Sequence, residues 1–177
     1  MAIVNKTALI YCENQFGLID GKTASGLIRH SEIYTIVGVI DSSLAGKDSG
    51  KELGEEKNGV PIFADLEDAL NKLAKVPDCY IFGKAPLEAY LSNKERHLIL
   101  EAMGKGMDII NGLHQFLSDD QEFVLMASRN AVQIKDIRKP PKLKELHVYT
   151  GQIWKVTVCL LYTSPSPRDL GSNLVCR

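Results

Sequence analysis

Apolar residues along the chain fall into short, nearly unbroken runs separated by amphipathic segments and by polar stretches bearing glycine. Residues 7–12 (TALIYC), 34–40 (YTIVGVI), 79–82 (CYIF) and 108–110 (DII) are rich in strand formers. Runs of this kind suit parallel strands covered on both faces. Between the first two, residues 22–30 (KTASGLIRH) place Ala24, Leu27 and Ile28 at helical spacing. Asp65 can cap a helix predicted over 66–75, and residues 87–105 read as mostly helical, with Leu98, Ala102 and Met103 among the apolar positions. Ser118-Asp-Asp-Gln121 has the form of a capping box, so a helix is predicted over 119–129. Residues 60–63 and 133–136 are further short strands, residues 42–59 a long loop of small and charged residues, and Pro140-Pro141 closes the unit.

Strands alternating with helices imply right-handed crossovers and a three-layer α/β domain with a mostly parallel sheet. The carboxyl end of each strand then feeds a loop to one rim, where such sheets bind small ligands. Those loops carry residues 16–23, 41–46, 83–86 and 111–117. The domain is predicted to span 1–150, with 151–158 (GQIWKVTV) as the linker and first strand of something new. From Cys159 the pattern breaks into serine and proline punctuation. Residues 159–169 resemble the conceptual translation of a transposase-type sequencing adapter, so 159–177 is set aside as non-native and natural sequence is expected to stop near Val158.

Composition narrows the classes. Of 177 residues, 45% are hydrophobic and 24% charged, which suits a globular chain with a real core rather than a disordered one. Lys and Arg total 21 against 22 Asp and Glu, so no net positive field holds a phosphate backbone, and nucleic acid is not an expected partner. The chain shows neither a membrane-spanning run nor a secretory signal, and it reads as cytoplasmic. None of the four cysteines forms a CxxC pair, and Cys12 and Cys79 lie in apolar runs as small buried hydrophobes. No metal is called for.

Several rim residues could carry chemistry. The first loop, FGLIDGKTASG, fails as a Walker A loop and holds no GxGxxG. Backbone amides at the helix start, with Lys22 and Thr23, form either an anion seat or an ordinary solvated helix start. Asp41 ends the second strand, where dinucleotide folds place a ribose-binding carboxylate, though aspartate also ends strands by favouring turns. Ser42 and Gly46 in the next loop, and Gly83 after the third core strand, let a ligand or its phosphate approach. His114 follows the fourth core strand and is the candidate catalyst, as acid, base or donor to an acyl oxygen; a hydrogen-bonding spacer is the alternative. Arg138, in DIRKPP, offers a guanidinium fork for a substrate carboxylate, or pins the connection to a following domain.

Together, KTASGLIRH, VIDSSLAGK, GVPIFADLEDAL, GLHQFLSDDQEF and IKDIRKPP resemble a two-domain family long carried as a domain of unknown function. Its amino-terminal half is Rossmann-like and its carboxyl-terminal half is a P-loop nucleotide-binding domain. Some members are N-acetyltransferases acting on D-glutamate, of the DgcN type. The resemblance covers residues 7–158 and implies that this chain is the Rossmann-like half, lacking the P-loop that would hold ATP or another nucleotide. The succession of GVPIFADLEDAL, PDCYIFGKAP and EAMGKGMDIINGLH is more loosely similar to the CoA-binding domain of acyl-CoA synthetases, a resemblance that fits acetyl-CoA as donor. Small-molecule binding is thus expected, and a homo-oligomer stays open. The alternatives are a non-catalytic ligand-sensing domain that regulates a P-loop domain, and, more weakly, an NAD-dependent oxidoreductase, against which the missing GxGxxG counts.

Overall fold

The computed structural model describes residues 6–85 and 90–140. Contacts divide the chain into Met1–Lys139 and Pro140–Arg177, and the architecture below is that of the first unit. The segments 151–158 and 159–177 lie outside the described residues, as does the first part of the helix predicted over 87–105.

Six strands form one sheet: β1 (Lys6–Tyr11), β2 (Tyr34–Ile40), β3 (Ile62–Phe63), β4 (Cys79–Phe82), β5 (Asp108–Asn111) and β6 (Ile134–Asp136). All neighbours are parallel, in the order β3-β2-β1-β4-β5-β6. This is the order of the doubly wound Rossmann fold. After β1 the chain winds one way through β2 and β3. After β4 it winds the other way through β5 and β6. The crevice therefore opens where β1 and β4 lie side by side.

The helices are α1 (Lys22–His30), α2 (Ser49–Glu52), α3 (Leu66–Lys72), α4 (Asn93–Gly104) and α5 (Gln121–Asn130). Alternate side chains of a strand point to opposite faces, and β1 shows the consequence. Leu9 and Tyr11 join Tyr80, Phe82 and Ile109 under α3, α4 and α5, packed on Leu66, Ile99, Met103 and Phe123. Ala8 and Ile10 join Val39, Ile81 and Ala24 of α1 on the other face. Cys12 and Cys79 are buried free thiols, and burial pushes the Cys12 thiol up to about 12.

Three helix starts differ from the sequence prediction, each for a local reason. Helix α4 begins at Asn93 because Ser92 and Glu95 form the capping box: Glu95 N donates to Ser92 Oγ at 3.3 Å, and Ser92 N donates to the Glu95 carboxylate at 3.0 Å. The box predicted at Ser118 does not form. The amides of Leu117 and Ser118 both donate to Asp136, which holds this stretch in a 3-10 turn over Leu117–Asp119. Asp120 caps α5 instead, accepting from Glu122 N at 3.0 Å. In the stretch predicted as loop, Asp48 caps the short α2 and also accepts from the amides of Asn58 and Gly59. Arg96 joins α4 to α5: it pairs with Asp120 through two nitrogens, reaches Glu122, and lies 4.5 Å above the Phe123 ring.

Among the described residues, no helix is long and apolar enough to cross a membrane, and no group of three or more His, Cys, Asp or Glu could hold a metal ion.

The seam between β1 and β4 depends on Gly83. Its N–H donates to Tyr11 O at 2.9 Å, and a Cβ there would stand 2.6 Å from Ile10 Cγ2 and 3.1 Å from Ala24 Cβ. Gly83→Ala is expected to lower stability by about 1–3 kcal/mol, the usual range for overpacking a core, read as a lower midpoint in urea. A second expectation concerns Asp78, which accepts from Thr7 N at 2.8 Å, Thr7 Oγ1 at 2.7 Å and Lys75 Nζ at 3.1 Å. The Thr7 amide and hydroxyl, followed by Lys75, hold its carboxyl down at about 2, below the ~3.9 of an unfolded aspartate. A depressed folded pKa gives stability that is present above the unfolded value and lost as pH falls through the folded one. Unfolding midpoints should therefore fall between about pH 4 and pH 2, and Asp78→Asn should flatten part of that slope.

Candidate functional site

The carboxyl ends of the strands deliver most of the predicted site residues to one rim, but not as one cluster. His114 and Arg138 are brought together: Arg138, just beyond β6, lies with its Nη1 at 3.1 Å from His114 Nε2 in the loop after β5. Guanidinium has no lone pair to accept with, so Nε2 accepts and the ring proton sits on Nδ1. Both residues are exposed. The loop that carries His114 is tied down from both sides. Asn111, fully buried at the end of β5, donates to Gln115 O at 2.8 Å and to Asp136 at 2.6 Å. Asp136 also accepts from Leu117 N and Ser118 N. Burial pushes the Asp136 carboxyl up, but the hydrogen bonds from Ser118, Asn111 and Leu117 outweigh it and the net direction is down.

Asp41 occupies a different place from the one its position suggested. It is 0% exposed, and its carboxylate accepts from Phe16 N at 3.1 Å, Ser43 N at 3.1 Å and Ser43 Oγ at 2.5 Å. It fastens the β1 loop to the turn after β2 and turns away from the rim surface. Ser42, beside it, is exposed and engages Glu13: Ser42 N donates to Glu13 Oε2 at 2.9 Å and Ser42 Oγ to Oε1 at 2.7 Å. Gly46 adopts φ +84 and gives its N–H to Ile62 O at 2.8 Å, so this glycine makes the turn. Gly83 is buried in the seam described above.

Lys22 and Thr23 are exposed on the first turn of α1, whose cap, Gly21, offers no side chain to the helix amides. Gly21 is itself forced by packing, since a Cβ there would stand 1.9 Å from Gln15 O. Lys22 lines a groove of about 460 Å³ along α1 with Ser25, Arg29, His30 and Leu53. Ser42 lines a separate cavity of about 230 Å³ at the ends of β1 and β2.

Sequence reading passed over four groups near the switch point. Lys84, the residue after Gly83, pairs with Glu95 at 3.2 Å, with side-chain exposures of 23% and 7%. Burial pushes the Glu95 carboxyl up, and the bonds from Ser92 and Lys84 bring it below its ordinary value. Glu13 and Tyr11 stand at the end of β1, and burial raises the Tyr11 phenol. No motif marks Lys84, Glu13 or Tyr11, whereas Glu95 closes the Ser-x-x-Glu pattern of a capping box. The one signal common to all four was position, since each lies within two residues of a strand's end or opens the helix that follows.

Known proteins place this geometry. The sequence profile of a domain of unknown function, the DUF1611_N Rossmann-like domain, matches residues 42–140. A crystal structure of a DUF1611 family protein from Anabaena variabilis is similar over 83% of this chain, with 30% sequence identity and a TM-score of 0.72. The chain spans 40% of the length of that relative. A homoserine dehydrogenase from Thiobacillus denitrificans is 16% identical, covering 74% of this chain and 29% of its own, with a TM-score of 0.47. No curated protein matches. With its Rossmann strand order and a profile match over more than half its length, the chain belongs to the DUF1611_N family of Rossmann-like domains.

Proposed function

We propose that this chain is the Rossmann-like, amino-terminal part of an N-acetyltransferase of the DgcN type, acting on an acidic amino acid such as D-glutamate with acetyl-CoA as donor. The observation that carries the reading is the His114–Arg138 contact at 3.1 Å on the rim. A planar guanidinium is suited to the two oxygens of a carboxylate. When Arg138 turns to a substrate carboxylate, the Nε2 lone pair of His114 is released next to the substrate's amine. As the amine nitrogen bonds to the acyl carbon and the carbon–sulfur bond breaks, His114 takes the amine proton and can return it to the departing thiolate.

The rest of the rim would serve the donor or a nucleotide. Lys22, Thr23 and the uncapped amides of α1 offer positive charge and donors to phosphate, and Ser42 and Gly46 border the neighbouring loop. ATP or another nucleotide would bind through the P-loop domain that the family resemblance implies. The family resemblance in GLHQFLSDD and DIRKPP supports the same reading, because those two segments carry His114 and Arg138.

The test is acetyl transfer to D-glutamate by the full-length protein. His114→Ala is expected to lower kcat by about 100-fold or more, the range for losing a general base. Arg138→Ala should chiefly raise the KM for the amino acid, by about tenfold or more. Unchanged turnover in His114→Ala removes the histidine from the reaction, and no transfer at all by the parent protein sinks the reading.

A further inference from the structure

Helix α5 turns only Phe123 fully into the core. Its outer side carries Val124 and Leu125, exposed by 42% and 70%. A groove of about 710 Å³ runs between it and α4, lined by Leu100, Gln121, Glu122, Leu125, Met126 and Arg129. Apolar side chains gathered on one open face mark an interaction surface, as apolar side chains scattered singly do not.

The order of residues on that face names the partner. Positions i, i+3, i+4 and i+7 of a helix lie on one side, and here they are Glu122, Leu125, Met126 and Arg129. This side therefore runs acid, apolar, apolar, base, with the charged residues about 10 Å apart along the axis. Reversing a helix exchanges its ends, so a second α5 laid antiparallel sets Glu122 against Arg129, Leu125 against Met126, and Arg129 against Glu122. The pattern is complementary to itself, which is the condition for an isologous two-fold contact. Both charges are exposed and able to make it. Arg96 engages one oxygen of the Glu122 carboxylate, and Arg129 has no ion pair among the described residues. The helix dipole alone favours an acid near the start of a helix and a base near its end. It does not place them on one face with an exposed leucine midway.

We infer that a second copy of this chain docks on this face, the two α5 helices packing antiparallel about a two-fold axis between Leu125 and Met126. Leu125 of each copy enters the groove between α4 and α5 of the other, and a Glu122–Arg129 pair closes each end. Helix α5 carries the chain back from the carboxyl end of β5 to the start of β6, so it runs against the strands. Antiparallel helices then set the two sheets head to tail. The rims that carry His114 and Arg138 open at opposite ends of the pair, each complete within one copy.

Sedimentation velocity of the full 177-residue chain over a concentration series tests this. One helix per copy makes a small contact of modest affinity, so monomer should give way to dimer as the concentration rises to about 0.5 mM. Leu125→Glu, at an exposed position, leaves the core untouched and should raise the dimer's Kd by at least about 30-fold, as for the loss of a central anchor. Glu122→Arg and Arg129→Glu should each weaken self-association by about tenfold or more, because each sets like charges together twice. Mixed one to one, those two variants should associate again, since both ends of the mixed pair then join opposite charges. A fault in folding does not produce that rescue. If the thermal midpoint shows that Glu122→Arg, which also loses Arg96, does not fold, Leu125→Glu and Arg129→Glu decide the matter. A chain that stays monomeric, leaving the face to a different partner, overturns the inference. So does a dimer indifferent to Leu125→Glu, or a mixture of folded charge variants that associates no better than either alone.

Discussion

The middle of the sheet closes on a residue with no side chain. Gly83 lets β4 end against Ile10 while Ala24 of α1 packs on top, and its amide completes the ladder to Tyr11. Everything at the switch point follows from that close approach. Helix α1 lies low over the seam, the turn before it folds tightly enough that Gly21 packs on Gln15 and Cys12, and Ala85 N reaches back to Asp20 O at 2.8 Å. The end of β1 then presents Tyr11 and Glu13 to the cavity at the ends of β1 and β2, and after β4 the Lys84–Glu95 pair ties the turn at Gly83 to the start of α4.

Around this rim, carboxylates do more to shape loops than to await ligands. Asp41, Asp48 and Asp136 each accept from two or more backbone amides, which satisfies donors that turns would otherwise leave unpaired. Glu13 accepts from the Ser42 amide and hydroxyl and from Asn14 Nδ2 at 3.4 Å. Tyr80 is the opposite case, a buried hydroxyl with no partner among the described residues.

The strands were legible because a parallel strand covered on both faces must be apolar throughout, and YTIVGVI or CYIF can hardly be anything else. Helix α1 was legible from Ala24, Leu27 and Ile28. The capping of α5 was not. Ser118 and Gln121 satisfy the local pattern, yet the amides that would start a helix at Ser118 are taken by Asp136, eighteen residues further on. Asp41 shows the same limit at the site: its burial depends on Phe16 N, twenty-five residues earlier, and no window around Asp41 contains that information. His114 and Arg138 were each picked out by their loops, but their contact arises only because β5 and β6 are neighbours in the sheet.

That neighbourhood has a mechanical side. Asp136 belongs to the edge strand, is gripped by Asn111 from β5, and grips the amides of Leu117 and Ser118 in turn. Arg138 follows it by two residues and touches His114. The histidine is thus held at both ends by a strand that, among the described residues, is paired on one side only, and sliding β6 by a single residue would exchange Asp136 for a neighbour that cannot hold those amides. The outer border of the sheet acts as a lever arm for the imidazole, and a force on the chain at Ile137 to Lys139 reaches the ring before it reaches the core.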